Sequence, residues 1–232
     1  MSNTPTILAI ETATSSCSVA LLSSDQVLSR SEIGNNIHSQ VILSMVQSIL
    51  LEASIEVGTV DAVAVGQGPG SFTGLRIGIG VAQGLAYGAE CPMIGVSSLD
   101  ALAMQSTLDG PILAGIDARM GEIYWAEYVK NGDDLQRLGE IGLNLPIDIQ
   151  SNSATNYILV GNAWSEYKSL LSRKLLETTN HLEQIIYPSA KALLTLALSK
   201  YLDREWVSAI DFTPEYVRNN VAEKPKTGNK TI

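Results

Sequence analysis

One stretch constrains this chain more than any other: Gly66-Gln67-Gly68-Pro69-Gly70-Ser71-Phe72-Thr73-Gly74-Leu75-Arg76-Ile77-Gly78-Ile79-Gly80, continuing to Gly84 and Gly88. It follows an apolar run, residues 60–65, that reads as a buried strand interrupted only by Asp61. Residues 66–70 then turn the chain, since glycine and proline supply backbone angles that other residues resist. Ser71 is placed to cap a helix in which Phe72, Leu75, Ile79 and Leu85 recur at helical spacing. Each glycine inside a helix costs about 1 kcal/mol relative to alanine. A helix with glycines at 74, 78, 80, 84 and 88 therefore needs a neighbour packed against its backbone. Two readings of the loop stand side by side: backbone N–H groups offered to a phosphate at the helix start, or a tight turn feeding a closely packed helix. The nucleotide fingerprints do not fit, because no Gly-Lys-Ser/Thr follows and the third glycine of the dinucleotide pattern is missing.

Charge limits what such a chain can bind. Its 232 residues carry a formal net charge of −9, and the sequence pI is near 4.7. A protein that holds RNA alone normally shows a basic patch or a high pI, so tight independent RNA binding is not expected. Cys17 and Cys91 are too few and too distant for a disulfide framework or a zinc site. The N-terminus shows no signal-peptide pattern, and no apolar run reaches the length of about eighteen residues that spans a membrane. A soluble, cytoplasmic protein with no membrane contact is the expectation.

In chain order, residues 7–10 read as a buried strand ending at Glu11, followed by a turn, a second strand over 17–22 and a third over 26–33. Residues 38–53 form a helix with a stripe of Val41, Ile42, Met45, Val46, Ile49 and Leu50. Leu43 and Leu51 widen that stripe beyond what a one-sided surface helix needs. Either the helix is wedged within its own domain or a partner covers its second side. His38, at the helix start, has no ligand-spaced companion and reads as a surface or capping residue. Further on come a strand at 91–96, a helix start at 97–102, and a strand over 112–117 ending at Asp117. A strand at 123–128, a strand at 157–160, a helix over 163–171 and an amphipathic helix over 189–201 complete the ordered part. Residues 214–218 look extended.

Ile10-Glu11-Thr12-Ala13, with the strand before and the hairpin after it, recurs as Ile116-Asp117-Ala118-Arg119, offset by 106 residues. Two like-folded domains facing a cleft are expected, over residues 1–105 and 106–220, with 221–232 as a mobile tail. No nucleophile–base pair is legible, and no catalytic, cofactor-binding or metal residue is assigned. Glu11 and Asp117 are the only carboxylates placed with apparent purpose. They would either hold a hydrated Mg²⁺ with bound phosphates or cap nearby backbone N–H groups.

Residues 7–22, the core Gly68-Pro69-Gly70-Ser71-Phe72-Thr73-Gly74-Leu75-Arg76, Ile94-Gly95-Val96-Ser97-Ser98-Leu99 and Asp117-Ala118-Arg119-Met120-Gly121-Glu122-Ile123-Tyr124 together resemble the bacterial TsaB family. The resemblance runs over residues 7–220. It implies an α/β fold of two RNase H-like domains in the actin/hexokinase/Hsp70-type ATPase superfamily, in agreement with the repeat. It also implies a non-catalytic role in making threonylcarbamoyladenosine on tRNAs that read codons beginning with A. The implied partners are the transferase TsaD, as a heterodimer, and the ATPase TsaE. A homodimer through the same helical surface is implied when TsaD is absent, and tRNA is met only indirectly, through the complex. The metal-binding histidines of TsaD fall on Ser98 and Leu102, and leucine cannot ligate a metal. Old glycoprotease labels of the family find no supporting residues. A scaffold without cofactor is therefore expected, docking through Ile42, Met45, Ile49, Gly74, Leu75, Gly78 and Ile79. The rival expectation is a small ATP/Mg²⁺-dependent phosphotransferase or hydrolase of the same superfamily using Glu11 and Asp117.

Overall fold

The computed structural model describes residues 4–150, 156–185 and 187–218. Its first half builds a sheet from β1 (Ile7–Glu11), β2 (Ser16–Ser23), β3 (Gln26–Ile33), β4 (Ala62–Gly68) and β5 (Met93–Ser97). Their order is β3-β2-β1-β4-β5, antiparallel across β3-β2-β1 and parallel across β1-β4-β5. The second half repeats the plan with β6 (Gly110–Asp117), β7 (Ile123–Asn131), β8 (Asp134–Asn144), β9 (Tyr157–Val160) and β10 (Thr179–Leu182). Here the order is β10-β9-β6-β7-β8, again with the first three strands antiparallel and the last two parallel to the first. Strand for strand, the two sheets have one topology, and Glu11 and Asp117 end equivalent strands. This is the pair of RNase H-like domains of the actin/hexokinase/Hsp70-type superfamily.

Why the first sheet is so apolar follows from its two covered faces, since a strand buried on both sides reads as a continuous hydrophobic run. Leu8 and Ile10 of β1 point to one core, where Ile42, Met45, Val46 and Ile49 of α1 (His38–Ala53) and Leu75, Ile79, Ala82 and Ala86 of α2 (Phe72–Gly88) meet them. Ile7 and Ala9 point the other way, onto Ala190, Leu193, Leu194 and Ala197 of the last helix. That helix runs Ala190–Leu202 and is capped by Ser189, whose side chain accepts from Ala192 N. It lies in the stretch 106–220 assigned to the second domain by sequence, yet it packs on the first sheet.

Between the sheets sits α3 (Ser98–Met104). Its Ala101 belongs to the first domain's core, and its Leu99, Leu102 and Ala103 to the second's. The second sheet's far face is closed by Trp164 of α4 (Asn162–Glu166) and Leu175 of α5 (Arg173–Glu177), so the final helix, Ala190–Leu202, is α6. The helix expected over 163–171 is shorter, stopping at Glu166 and resuming as a 3-10 turn at Lys168–Leu170. β8, α5 and β10 were not foreseen. The expected tail, 221–232, lies outside the described residues.

Candidate functional site

Two features stand out from this frame: the cleft between the domains and the outer face of α1 and α2. A cleft of about 500 Å³ opens between the tips of the two equivalent hairpins. Ala13, Thr14 and the start of α2 line one wall, and Asp117, Arg119 and Asn162 the other.

Glu11 does not reach it. Its side chain has no exposure to water. One carboxylate oxygen accepts from Ala13 N at 2.7 Å and the other from Ser98 Oγ at 2.9 Å. Burial pushes its pKa up, against the lowering effect of those hydrogen bonds. Asp117 does line the cleft, but its carboxylate is engaged by Tyr167 OH at 2.7 Å, Arg119 N at 2.8 Å and the Arg119 guanidinium at 3.3 Å. The bond to Asp117, after burial, helps to push the Tyr167 phenol up to about 12. The two acids that a Mg²⁺ reading places across one cleft are thus a buried cap and a tied strand end. They do not fit a shared hydrated cation. Among the described residues no group of three metal-ligating side chains converges.

The glycine-rich loop is explained by contact. A Cβ on Gly66 would collide with the Glu11 carboxylate, one on Gly70 with the Ala13 backbone, and ones on Gly74 and Gly78 with Thr12. Ser71 N already donates to Ala13 O at 2.7 Å, and Thr12 Oγ1 donates to Gly74 O at 2.9 Å. The loop and the first turns of α2 are pressed onto the hairpin tip of their own domain, which supports the close-packing reading of the loop. Ser71 caps α2 as expected, accepting from Gly74 N at 3.2 Å. His38 is buried rather than on the surface, with its Nε2 2.8 Å from Thr14 O.

The seven residues assigned to a partner contact are all turned inward. Ile42, Met45, Ile49, Leu75 and Ile79 are at most 5% exposed in the chain's own core, and Gly74 and Gly78 are buried against Thr12. The physical reason is the helical period: the longest apolar stripe of each helix is the one the sheet covers. What remains outside is a different set. Leu43 and Leu51 on α1 are 60% and 71% exposed, and Tyr87 on α2 is 71% exposed. Gly80, Gly84 and Gly88 are exposed, with nothing within 4 Å of where a Cβ would stand. The signals for this face were present in the sequence, as the surplus leucines of α1 and the second glycine series of α2.

Ser98 and Leu102, the positions matching the transferase histidines, are both fully buried. Ser98 holds Glu11, and Leu102 packs in the second core beside Gly161.

The protein from Escherichia coli K12 named tRNA threonylcarbamoyladenosine biosynthesis protein TsaB is 39% identical over 231 residues, covering 97% of this chain and 99% of that one. The chain belongs to the TsaB family. Its Haemophilus influenzae relative of the same name is 35% identical over 238 residues, with 97% and 98% covered. The family model described as TsaD, tRNA N6-adenosine threonylcarbamoyltransferase, matches residues 30–226. Among solved structures, YeaZ from Pseudomonas aeruginosa superposes with a TM-score of 0.85 at 35% identity, covering 92% of this chain and all of that one. TsaB-type sequence thus sits on a fold shared with TsaD, with serine and leucine where the resemblance puts that transferase's histidines.

Proposed function

We propose that this chain is a non-catalytic partner subunit in the formation of threonylcarbamoyladenosine on tRNAs that read codons beginning with A. It pairs with the transferase TsaD, and TsaE joins the same assembly. The observation that carries this reading is the outer face of α1 and α2. Leu43 and Leu51 on α1 and Tyr87 on α2 are exposed apolar side chains on two helices in contact, Gly80 and Gly84 of α2 look onto open space, and the only charged residue of α1, Glu52, is paired with Arg30. Exposed glycines let a partner helix approach the α2 backbone closely, and the exposed leucines and Tyr87 supply apolar area. Two helices from each side would make a four-helix contact, and a stable one buries about 1,200 Å² or more in total. Without TsaD, a second copy of the chain satisfies the same face as a homodimer.

Membership of the TsaB family, whose named relatives act in threonylcarbamoyladenosine biosynthesis, supports the pathway. The fully engaged carboxylate of Glu11 and the packed Ser98 and Leu102 support a subunit that holds no metal of its own. The net charge of −9 supports tRNA contact made through the complex. No helix of the described residues is long and apolar enough to cross a membrane, which fits a cytoplasmic assembly.

Sedimentation of the chain mixed with TsaD tests the reading, comparing wild type with Gly84→Arg. Wild type should form the heterodimer and the variant should remain folded and separate. Equal binding by both moves the contact elsewhere, and no binding by wild type removes the proposed partnership.

A further inference from the structure

Residues 206–218 run along the first domain and finish on the second. Val207 pairs with the backbone of Met93 through bonds of 2.9 and 3.0 Å, extending the edge of β5. Gln83 of α2 donates to Ala209 O and Phe212 O, and the Phe212 ring is buried in the first domain's core. Glu215 and Gln67 then exchange two hydrogen bonds, Glu215 N to Gln67 O at 3.0 Å and Gln67 Nε2 to Glu215 Oε2 at 3.1 Å. Tyr216 stacks 5.7 Å from the Phe72 ring at the start of α2. Arg76 lies 3.9 Å over that same ring and donates to Tyr216 OH. Val217 packs on the second domain's core, and Arg218 pairs with Glu122 and donates to Met120 Sδ on the β6–β7 hairpin.

The segment has therefore one apolar anchor in each domain, Phe212 and Val217, five residues apart. Five residues span at most about 17 Å when fully extended. While both anchors are seated, the two walls of the cleft cannot separate further than that chain allows. The chain also crosses between the domains before α6, which packs on the first sheet, and through α3, which packs into both cores and is the natural pivot.

We propose that residues 206–218 act as a tether that couples the start of α2 to the β6–β7 hairpin, so that docking on α2 and opening of the cleft are linked. The partner half of this statement rests on the proposed function above; the coupling of the two domains does not. The bistable element is the Tyr216–Arg218 clasp, either seated on Phe72, Arg76 and Glu122 or released. Any partner that favours one state on α2 must be favoured in turn by that state of the hairpin, because coupling between sites is reciprocal.

Hydrogen–deuterium exchange on the free chain decides the first half. Tyr216→Ala, Arg218→Ala and Glu122→Gln each remove one part of the clasp from a different side. Each is expected to speed exchange by about fivefold or more in two separate places, residues 118–123 and residues 72–76. Arg173→Ala, which breaks an exposed ion pair with Glu177, leaves both places unchanged. A rise confined to residues 213–218 overturns the tether. Adding TsaD tests the second half: exchange at 118–123 should slow in wild type and not in Tyr216→Ala. If TsaD binds and that hairpin is unaffected, the linkage is overturned while the docking reading stands. If TsaD does not bind, the docking reading falls and the free-chain result alone judges the tether.

Discussion

Ser98 Oγ donates to Glu11 Oε2 across 2.9 Å, and neither side chain has any exposure to water. A carboxyl group removed from solvent with only neutral donors for company is costly to ionise. Burial accordingly raises the Glu11 pKa. The raised folded value means that the native state holds this proton more tightly than the unfolded chain does. The resulting stability is complete below the ordinary glutamate value of about 4.3 and is lost as pH rises through the folded pKa. Glu11→Gln keeps an acceptor for Ala13 N and cannot ionise. Its urea midpoint, relative to wild type, should climb between pH 4 and pH 8. A difference that stays flat over that range would show that Glu11 titrates as an ordinary surface acid. Glu11→Ala, which strands both donors, should cost about 1–3 kcal/mol for each group left unsatisfied.

The glycines of α2 divide by direction, and substitution should divide them by sign. A Cβ at Gly78 meets the Thr12 side chain and one at Gly74 meets the Thr12 carbonyl, whereas Gly80 and Gly84 look onto open space. Gly74→Ala and Gly78→Ala should each destabilise by about 1–3 kcal/mol through overpacking. Gly80→Ala and Gly84→Ala should each stabilise by up to about 1 kcal/mol, since alanine is the better helix former. Thermal or urea unfolding of the four single variants checks the split. One sign for all four would mean that α2 does not sit on Thr12 as described.

Much of this was legible beforehand because local signals and the fold agree. The α1 bounds, the Ser71 cap, the three-strand opening and the repeat around Glu11 and Asp117 all follow from periodicity and turn chemistry. Direction was the part that sequence could not supply. Ile42, Met45, Ile49, Leu75 and Ile79 carry the apolar period, and a period alone says that a face is covered without saying by what. The sheet of the same domain covers it, so the proposed partner face falls to the residues left outside, such as Leu43, Leu51 and Tyr87. β8 was missed because none of its eleven residues is fully buried and Leu135, Leu138, Ile141 and Leu143 keep no steady alternation along it. The clasp of Tyr216 and Arg218 on Phe72 and Glu122 joins positions about a hundred or more residues apart, beyond the reach of any local pattern.

Neither cysteine should behave as a reactive thiol in the native protein. Burial, with the charges of Glu32 and Glu11 adding to it, pushes the Cys17 thiol up to about 11. Burial also raises Cys91. Since the thiolate is the reactive form, labelling of Cys17 by a disulfide reagent at pH 8 should be slower than in urea by on the order of 100-fold. Fast labelling of Cys17 in the native state would place it at a surface and contradict the packing of β2.

The strongest contrast lies between two substitutions five residues apart in sequence on α2, Ile79→Asp and Gly84→Arg. Ile79 is 5% exposed and belongs to the first core, so Ile79→Asp buries an unpaired charge and should cost about 3 kcal/mol or more. Loss of partner binding by that variant would say nothing about the interface, because the chain would be unfolding. Gly84→Arg projects from the opposite side of the same helix into space that is empty in the free chain. Its unfolding midpoint should stay within about 1 kcal/mol of wild type, while association with TsaD, and self-association, should weaken by tenfold or more, on the order of 1.4 kcal/mol. Leu51→Asp, at an exposed position of α1, should do the same from the neighbouring helix. Paired unfolding and sedimentation measurements on the three variants separate a core effect from a docking effect. Undiminished association by Gly84→Arg and Leu51→Asp together would remove the α1–α2 face as the partner surface.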